Sequence, residues 1–394
     1  MNEARLRAWW WHRQGLDGSL RGRSPAAVLE RSGWARSVGG VGPYLTLFAR
    51  AGTRREDADR AVAQLEIHEL PTARGCTYVV PANDFALGLK VGQDFTAGDM
   101  NTALKIGVTV KEIDKLCEAV LRALESGPLE PDAIREATGA ASRSLGEEGK
   151  KKGLSTTLPL ALGRLQSSGD IRRVPVNGRL DQQRYLYALW KPNPLATWRG
   201  SVQDAMSGLA RRFFRWVGPA TRAEFQWFSG LGVKAAASAL EPLRLEPAEP
   251  GSERLLLPVD LDAFRMYKIP PEPQYALVSG LDAIAAARRD VTTLLDAADR
   301  GRAVLNDRTM TSMGALVDLP NHAILDRGRV TGLWEYDPET ESIVCATFGA
   351  RDAALDAAIA ETETFVREQL GDARSFSLDS PKSRAPRIAA LRNM

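Results

Sequence analysis

Two sets of residues in this chain could do chemistry: a dense group of cations between positions 150 and 184, and a thin scatter of acid, base and thiol groups. The cations are Lys150, Lys151 and Lys152, followed by Arg164, Arg172, Arg173, Arg179 and Arg184, with Tyr185 and Tyr187 interleaved. Taken alone, the triple lysine reads as a solvated loop. Its place ahead of a helix N-terminus adds backbone N–H groups that converge with the lysines on a site suited to phosphate. So many basic residues in one small module are better explained by a polyanion than by solubility. The two tyrosines also suit the core of a hairpin.

The acid, base and nucleophile candidates are His68, Glu69 and Cys76. His68 and Glu69 are adjacent in a strand-like run, so their side chains point to opposite faces and need not act together. Cys76 is either a reactive thiol or a buried small hydrophobe. The chain has no Ser/His/Asp grouping with a nucleophile elbow, no Walker loop and no His-x-x-x-His helix. Three cysteines and three histidines, all far apart, give neither a disulfide framework nor a zinc site, so no metal or cofactor is expected. A second basic-aromatic cluster, Arg211-Arg212-Phe-Phe-Arg215-Trp216, reads as helix core first and as a base-stacking platform second.

With 394 residues, two to four domains are expected. The net charge is only +3, so a nucleic-acid partner has to be argued from where the cations cluster. No apolar run is long enough for a bilayer, and Trp9 to Trp11 are followed at once by His12-Arg13, which excludes a signal-peptide core. The expected location is the cytoplasm, associated with the nucleoid.

The elements that position the cations form a helix, a loop with lysines, a second helix over residues 155–168, and a hairpin closed by Asn177-Gly178. That order predicts a winged helix. In its second helix Leu158, Ala161, Leu162 and Leu165 face the core, while Leu160, Gly163, Arg164 and Ser167 face outward. Ser24-Pro25 starts an earlier helix, Gly33 ends it, and a strand over residues 70–80 follows further helices. Thr221 to Glu224 is a capping box that opens a third set of helices and strands. The fold class is therefore mainly α with small β wings: three tandem winged-helix units at 1–106, 107–194 and 195–273, then a mixed α+β domain at 274–394. In that last part, a helix over residues 282–299 and a loose basic tail from Gly371 are expected.

Three stretches, Pro43-Tyr-Leu-Thr-Leu-Phe-Ala-Arg50, Tyr78-Val-Val-Pro-Ala-Asn-Asp-Phe85 and Asp326-Arg-Gly-Arg-Val-Thr-Gly-Leu-Trp334, resemble the AlkZ/YcaQ-like winged-helix DNA glycosylases. The resemblance implies excision of alkylated bases, unhooking of crosslinks, and a concave basic channel around duplex DNA. It also implies a catalytic Gln-apolar-Gln or Gln-apolar-Asp signature, which falls here on Ser32, Gly33 and Trp34. A His-Glu pair of the family falls on Gly75 and Cys76. Neither set carries over. Ser32, Trp34 and Tyr44 are the candidate lesion contacts, with Glu30, Gln64 or Glu69 as the polar groups a working centre would need. The expected partner is duplex DNA, alkylated or crosslinked, and a monomer is favoured. The alternative is a non-catalytic duplex-DNA binder or transcriptional regulator on the same scaffold. A third reading is an enzyme on another substrate that uses Cys76 or His68.

Overall fold

The computed structural model describes residues 2–93 and 97–394. It is mainly helical, with small antiparallel sheets. Helix α1 (Glu3–Arg13) is followed by α2 (Pro25–Ser32), whose N-cap Ser24 and first-turn proline start it as expected. Gly33 ends α2 at φ 110, a conformation L side chains rarely adopt. Strand β1 (Ala35–Arg36), helices α3 (Gly42–Ala51) and α4 (Arg55–Ala63), and strands β2 (Ile67–Pro71) and β3 (Thr77–Pro81) follow. The single strand expected over 70–80 is a hairpin, because Arg74 takes φ 57 and turns the chain between β2 and β3. The sheet order is β1-β3-β2.

Helices α5 (Phe85–Gly92) and α6 (Ala97–Leu104) lead to the central unit. Helix α7 (Val110–Ala123) opens with a complete Thr109–Glu112 capping box, and α8 (Pro131–Thr138) and α9 (Gly146–Lys151) follow. Next come α10 (Leu158–Ser167) and a two-stranded sheet of β4 (Ile171–Pro175) and β5 (Tyr185–Leu189). These elements enclose a core of their own that contains Leu158, Ala161, Leu162, Leu165 and Tyr187. Three expectations are corrected here. Helix α10 starts at Leu158 rather than 155, and its N-cap Thr157 makes no side-chain cap bond. Leu160 and Ser167 are buried rather than outward: Leu160 joins the central core with Ala103 and Val108, and α10 packs on α5 as well as α7. The strands are joined by residues 176–184 rather than by a tight Asn177-Gly178 turn.

Helix α11 (Val202–Val217) carries Phe213 and Phe214 fully buried, as its core reading required. Helices α12 (Arg222–Ser229) and α13 (Val233–Leu240) and short strands β6 (Glu246–Pro247) and β7 (Leu255–Leu256) complete this part, with the Thr221–Glu224 capping box in place. The last part contains α14 (Leu261–Met266), β8 (Tyr275–Val278), α15 (Ala283–Ala286), a hairpin of β9 (Ala303–Asn306) and β10 (Thr309–Ser312), then β11 (His322–Asp326), β12 (Arg329–Asp337) and β13 (Ser342–Thr347). Its main sheet runs β13-β12-β11-β8. Helices α16 (Ala353–Phe365) and α17 (Pro381–Arg392) flank it. The long helix expected over 282–299 is the single turn of α15 followed by 3-10 turns, broken where Arg289 takes φ 55.

Two further corrections concern the chain ends. Helix α1, assigned to the first unit, buries Leu6, Trp9, Trp10 and Trp11 in a core shared with Val278, Leu294 and Leu333. The tail is anchored rather than loose: Arg384 is fully buried, donating to the Tyr336 carbonyl and to Asp372, and Arg387 pairs with Glu335. No helix among the described residues is long and apolar enough to cross a membrane.

Candidate functional site

The segments brought together by this packing enclose a cavity of about 500 Å³. Its walls come from four places in the chain: Gly33, Trp34 and Arg36 at the end of α2 and in β1; Arg74 and Tyr78 around the β2–β3 turn; Trp216 and Trp227 on α11 and α12; and Arg289 and Asp318 from the last part. The interior is aromatic. Trp34 and Trp216 meet with ring centroids 5.3 Å apart, and Trp34 lies 6.2 Å from Tyr78. Both indoles are pinned by their N–H groups. Trp34 donates to Asp84 Oδ2 at 2.8 Å, and Trp216 donates to the Glu30 carbonyl at 3.0 Å. Asp84 is itself held by Arg212 at 2.5 Å. A β-carbon at Gly33 would press on the Trp216 ring at 3.3 Å, so glycine is needed for space as well as for φ.

Cations ring this aromatic space. Arg36 lies 5.7 Å over Tyr78, and its Nε is buried without a partner. Arg74 lies 3.8 Å over Trp227, and Arg289 lies 5.0 Å over the same ring. Arg289 also pairs with Asp318 at 3.3 Å, with both side chains close to half exposed. Among the described residues neither Arg36 nor Arg74 is in an ion pair. Arginine over an aromatic face is a favourable electrostatic contact. Three arginines against one aspartate leave the cavity electropositive.

A family model described as DNA glycosylase AlkZ-like matches residues 41–367. The chain belongs to the AlkZ-like DNA glycosylase family. Among solved structures, the Streptomyces sahachiroi DNA glycosylase AlkZ aligns with a TM-score of 0.68 at 18% identity, over 95% of this chain and 98% of that one. At that identity the likeness speaks for the fold. No curated protein matches the chain. The matched range begins after Trp34, so the positions on which the glycosylase signature falls lie just outside it.

Those positions differ in environment. Ser32 is buried, and its hydroxyl donates back to the Val28 carbonyl within α2. Trp34 faces the cavity. The backbone at Gly33 is one that an apolar side chain would enter only with strain. Tyr44 is a core residue of α3: its hydroxyl donates to Asp59 and accepts from the Leu180 N–H, so no face is left for a base. Glu30 is exposed and accepts from Asn83, while Gln64 ends α4 on the surface.

His68, Glu69 and Cys76 do not line the cavity. His68 is enclosed between Phe85 and Trp190, with both ring nitrogens unpartnered. Burial, reinforced by Arg172 and Arg173, pushes its pKa down to about 3, so it is neutral at any ordinary pH. Glu69 is buried and accepts from Ser37 and Tyr185; burial raises it above the usual carboxylate range. Cys76 is half-buried, with its sulfur near the Arg74 guanidinium.

The central unit holds fewer free cations than its sequence suggests. Lys150 and Lys152 sit at the C-terminal end of α9 rather than before a helix, and they pair with Glu147 at 2.8 Å and Glu148 at 3.8 Å. Arg164 pairs with Asp114 at 2.6 Å. Arg179 pairs with Asp181 and donates to the Leu370 carbonyl. Arg172 and Arg173 are half-buried on β4, with Arg173 over Tyr185. Lys151 and Arg184 are exposed and, among the described residues, unpaired. Sequence reasoning did not find Arg36, Arg74, Trp227, Arg289 or Asp318, because they meet only in three dimensions. The signals in the sequence were Trp34 and the Arg211-to-Trp216 cluster, whose Trp216 lines the cavity.

Proposed function

We propose that the protein is a DNA-repair member of its family that recognises alkylated or crosslinked duplex DNA, and that its site binds the lesion without amide-assisted hydrolysis. One observation carries this reading. Where the resemblance calls for two polar catalytic groups, this chain has a buried serine turned into its own helix and a tryptophan walling an aromatic cavity. Excision needs a group that positions or activates water at C1′ while charge develops on the sugar. Ser32 has no free hydroxyl to offer, and the Trp34 N–H is committed to Asp84. An aromatic space of this size does suit a base taken out of the stack.

We read the helices preceding each of the β2–β3, β4–β5 and β6–β7 hairpins as three tandem winged-helix units. Duplex DNA would be gripped through phosphates by exposed cations such as Lys151 and Arg184, and a DNA partner would place the protein on the nucleoid. Binding to a duplex with one N7-alkylpurine, measured beside its unmodified counterpart over a salt series, tests the proposal. Preference for the modified duplex and a linear loss of log affinity with log salt are expected. Equal affinity for both removes the damage-recognition claim, and salt-independent binding removes the phosphate grip.

A second reading, excision by a group outside the signature, is favoured by one observation: Asp318 is the single carboxylate among the lining residues. Under it, abasic sites would form on the modified duplex and disappear with Asp318→Asn.

A further inference from the structure

We infer that the cavity is a nucleotide-binding site, taking a planar heterocycle against its aromatic wall and a phosphate against Arg36 and Arg74. The inference deepens the damage-recognition reading, and rests on it only where the nucleotide is part of a DNA strand. A volume of about 500 Å³ lies within the range of small-molecule sites, roughly 300–1,000 Å³. Trp34 and Trp216 are almost fully buried in the wall, and the partly exposed Trp227 gives a base an indole surface to pack on through its π-face.

The charges choose the rest of the ligand. Neither Arg36 nor Arg74 is in an ion pair among the described residues, so a purely apolar ring would leave both guanidinium charges at the cavity wall uncompensated. A ligand of net positive charge would add to the charge of three arginines, so a cationic N7-alkylated base enters only together with its own phosphate. An anion satisfies both conditions, and phosphate matches the planar donor array of arginine.

Arg74 and Arg289 both occupy the left-handed region, at φ 57 and φ 55, which is uncommon for residues other than glycine. Each strained turn delivers a guanidinium to the same Trp227 ring, from two distant parts of the chain. Strain of this kind persists where surrounding structure over-determines it, commonly at ligand clamps. Asp318 holds Arg289 at the rim and presents an acceptor to a base edge that carries N–H donors, as guanine does.

The nucleotide has two sources of the same chemistry: a free mononucleotide, or a nucleotide unstacked from a strand. The test is a titration of the full-length protein with guanosine 5′-monophosphate, read by quenching of tryptophan fluorescence. Guanosine and ribose 5-phosphate serve as the two halves. Saturable quenching by the monophosphate is expected, with each half binding at least about tenfold more weakly. Arg74→Gln should weaken binding about tenfold, and Trp227→Leu should abolish it, both with unchanged circular dichroism. Competition by a duplex with a single-nucleotide bulge, but not by a matched duplex, identifies the strand as the source. Competition by neither identifies the free mononucleotide. No saturable quenching by the monophosphate, or equal binding by Arg74→Gln, overturns the inference. Duplex affinity measured on the same samples separates the two claims: its loss defeats the DNA reading alone.

Discussion

Replacing Asp282 by asparagine should destabilise the protein far more than a surface change, because the partner left behind has nowhere to go. Arg50 ends the Pro43-to-Arg50 run that helped define the family resemblance, and its side chain and that of Asp282 are both fully buried. The guanidinium makes two 2.7 Å bonds to the two Asp282 oxygens, and three more to the Gln14 carbonyl, the Gln14 side chain and the Thr46 carbonyl. Asp282 also caps α15, accepting from the Ile284 N–H at 3.1 Å, and α15 forms one wall of the cavity. Breaking a buried pair by removing one partner typically costs about 3–5 kcal/mol, whereas replacing both by apolar groups is often near neutral. Asp282→Asn, Asp282→Leu and Arg50→Met should therefore each lower the free energy of unfolding by about 3–5 kcal/mol, while Arg50→Met/Asp282→Leu recovers much of that loss. The assay is urea unfolding followed by fluorescence and circular dichroism, arranged as a double-mutant cycle. Burial alone would raise Asp282, but the charge and hydrogen bonds of Arg50 hold it below the usual carboxylate value of 3.8. Its contribution is thus present above that pH and is lost as pH falls through the depressed value, a limb that Asp282→Asn should lack. Single losses under about 1 kcal/mol, or losses that simply add, would show that Arg50 and Asp282 are not a coupled buried pair.

Three other outcomes follow from the same structure. Placing glutamine at both polar positions of the signature with Ser32→Gln and Trp34→Gln should not produce abasic sites on alkylated duplex, since the buried position 32 has no room for the longer side chain. Excision by the double variant would show that only the side chains had been lost. His68 stays neutral in the folded protein but protonates near 6.5 when unfolded, so its contribution to stability falls as pH drops from 6.5 towards 3. Below 6.5 the slope from this group approaches about 1.4 kcal/mol per pH unit, and His68→Leu should flatten the measured curve by that amount; an unchanged curve contradicts the burial argument. Lys151→Ala and Arg184→Ala should each lower duplex affinity and reduce the salt slope by about one, whereas Lys150→Ala, which only releases Glu147, should change the slope by less than half that. Equal effects of Lys150 and Lys151 would show that the helix pairs open on DNA.

What the sequence made legible was local. Ser24-Pro25, the Thr221–Glu224 box and the apolar spacing of Leu158, Ala161, Leu162 and Leu165 act within a few residues, and they appear as expected. The misreadings came from partners remote in sequence. Leu160 and Ser167 look outward on an isolated helix until the surrounding elements bury them, and the basic tail looks loose until Arg384 finds Tyr336 and Asp372. The charge of Lys150 and Lys152 was overcounted, although Glu147 and Glu148 lie at the spacing that pairs on a helix. The cavity was out of reach for a plainer reason. Trp34 reads as a candidate lesion contact or a core tryptophan, and only folding sets it beside Trp216 and opposite Arg74, Trp227 and Arg289.

Under the proposed function the protein recognises damaged DNA without hydrolysis by a Gln-apolar-Gln or Gln-apolar-Asp pair. The most direct measurement is to incubate the purified protein in excess with duplex carrying one N7-alkylpurine, at a salt concentration where the complex is fully formed. The strand is then treated to cleave abasic sites. Complete, salt-sensitive complex formation with no strand cleavage above the protein-free control is predicted. Cleavage at the modified position that grows with time and protein concentration would contradict it.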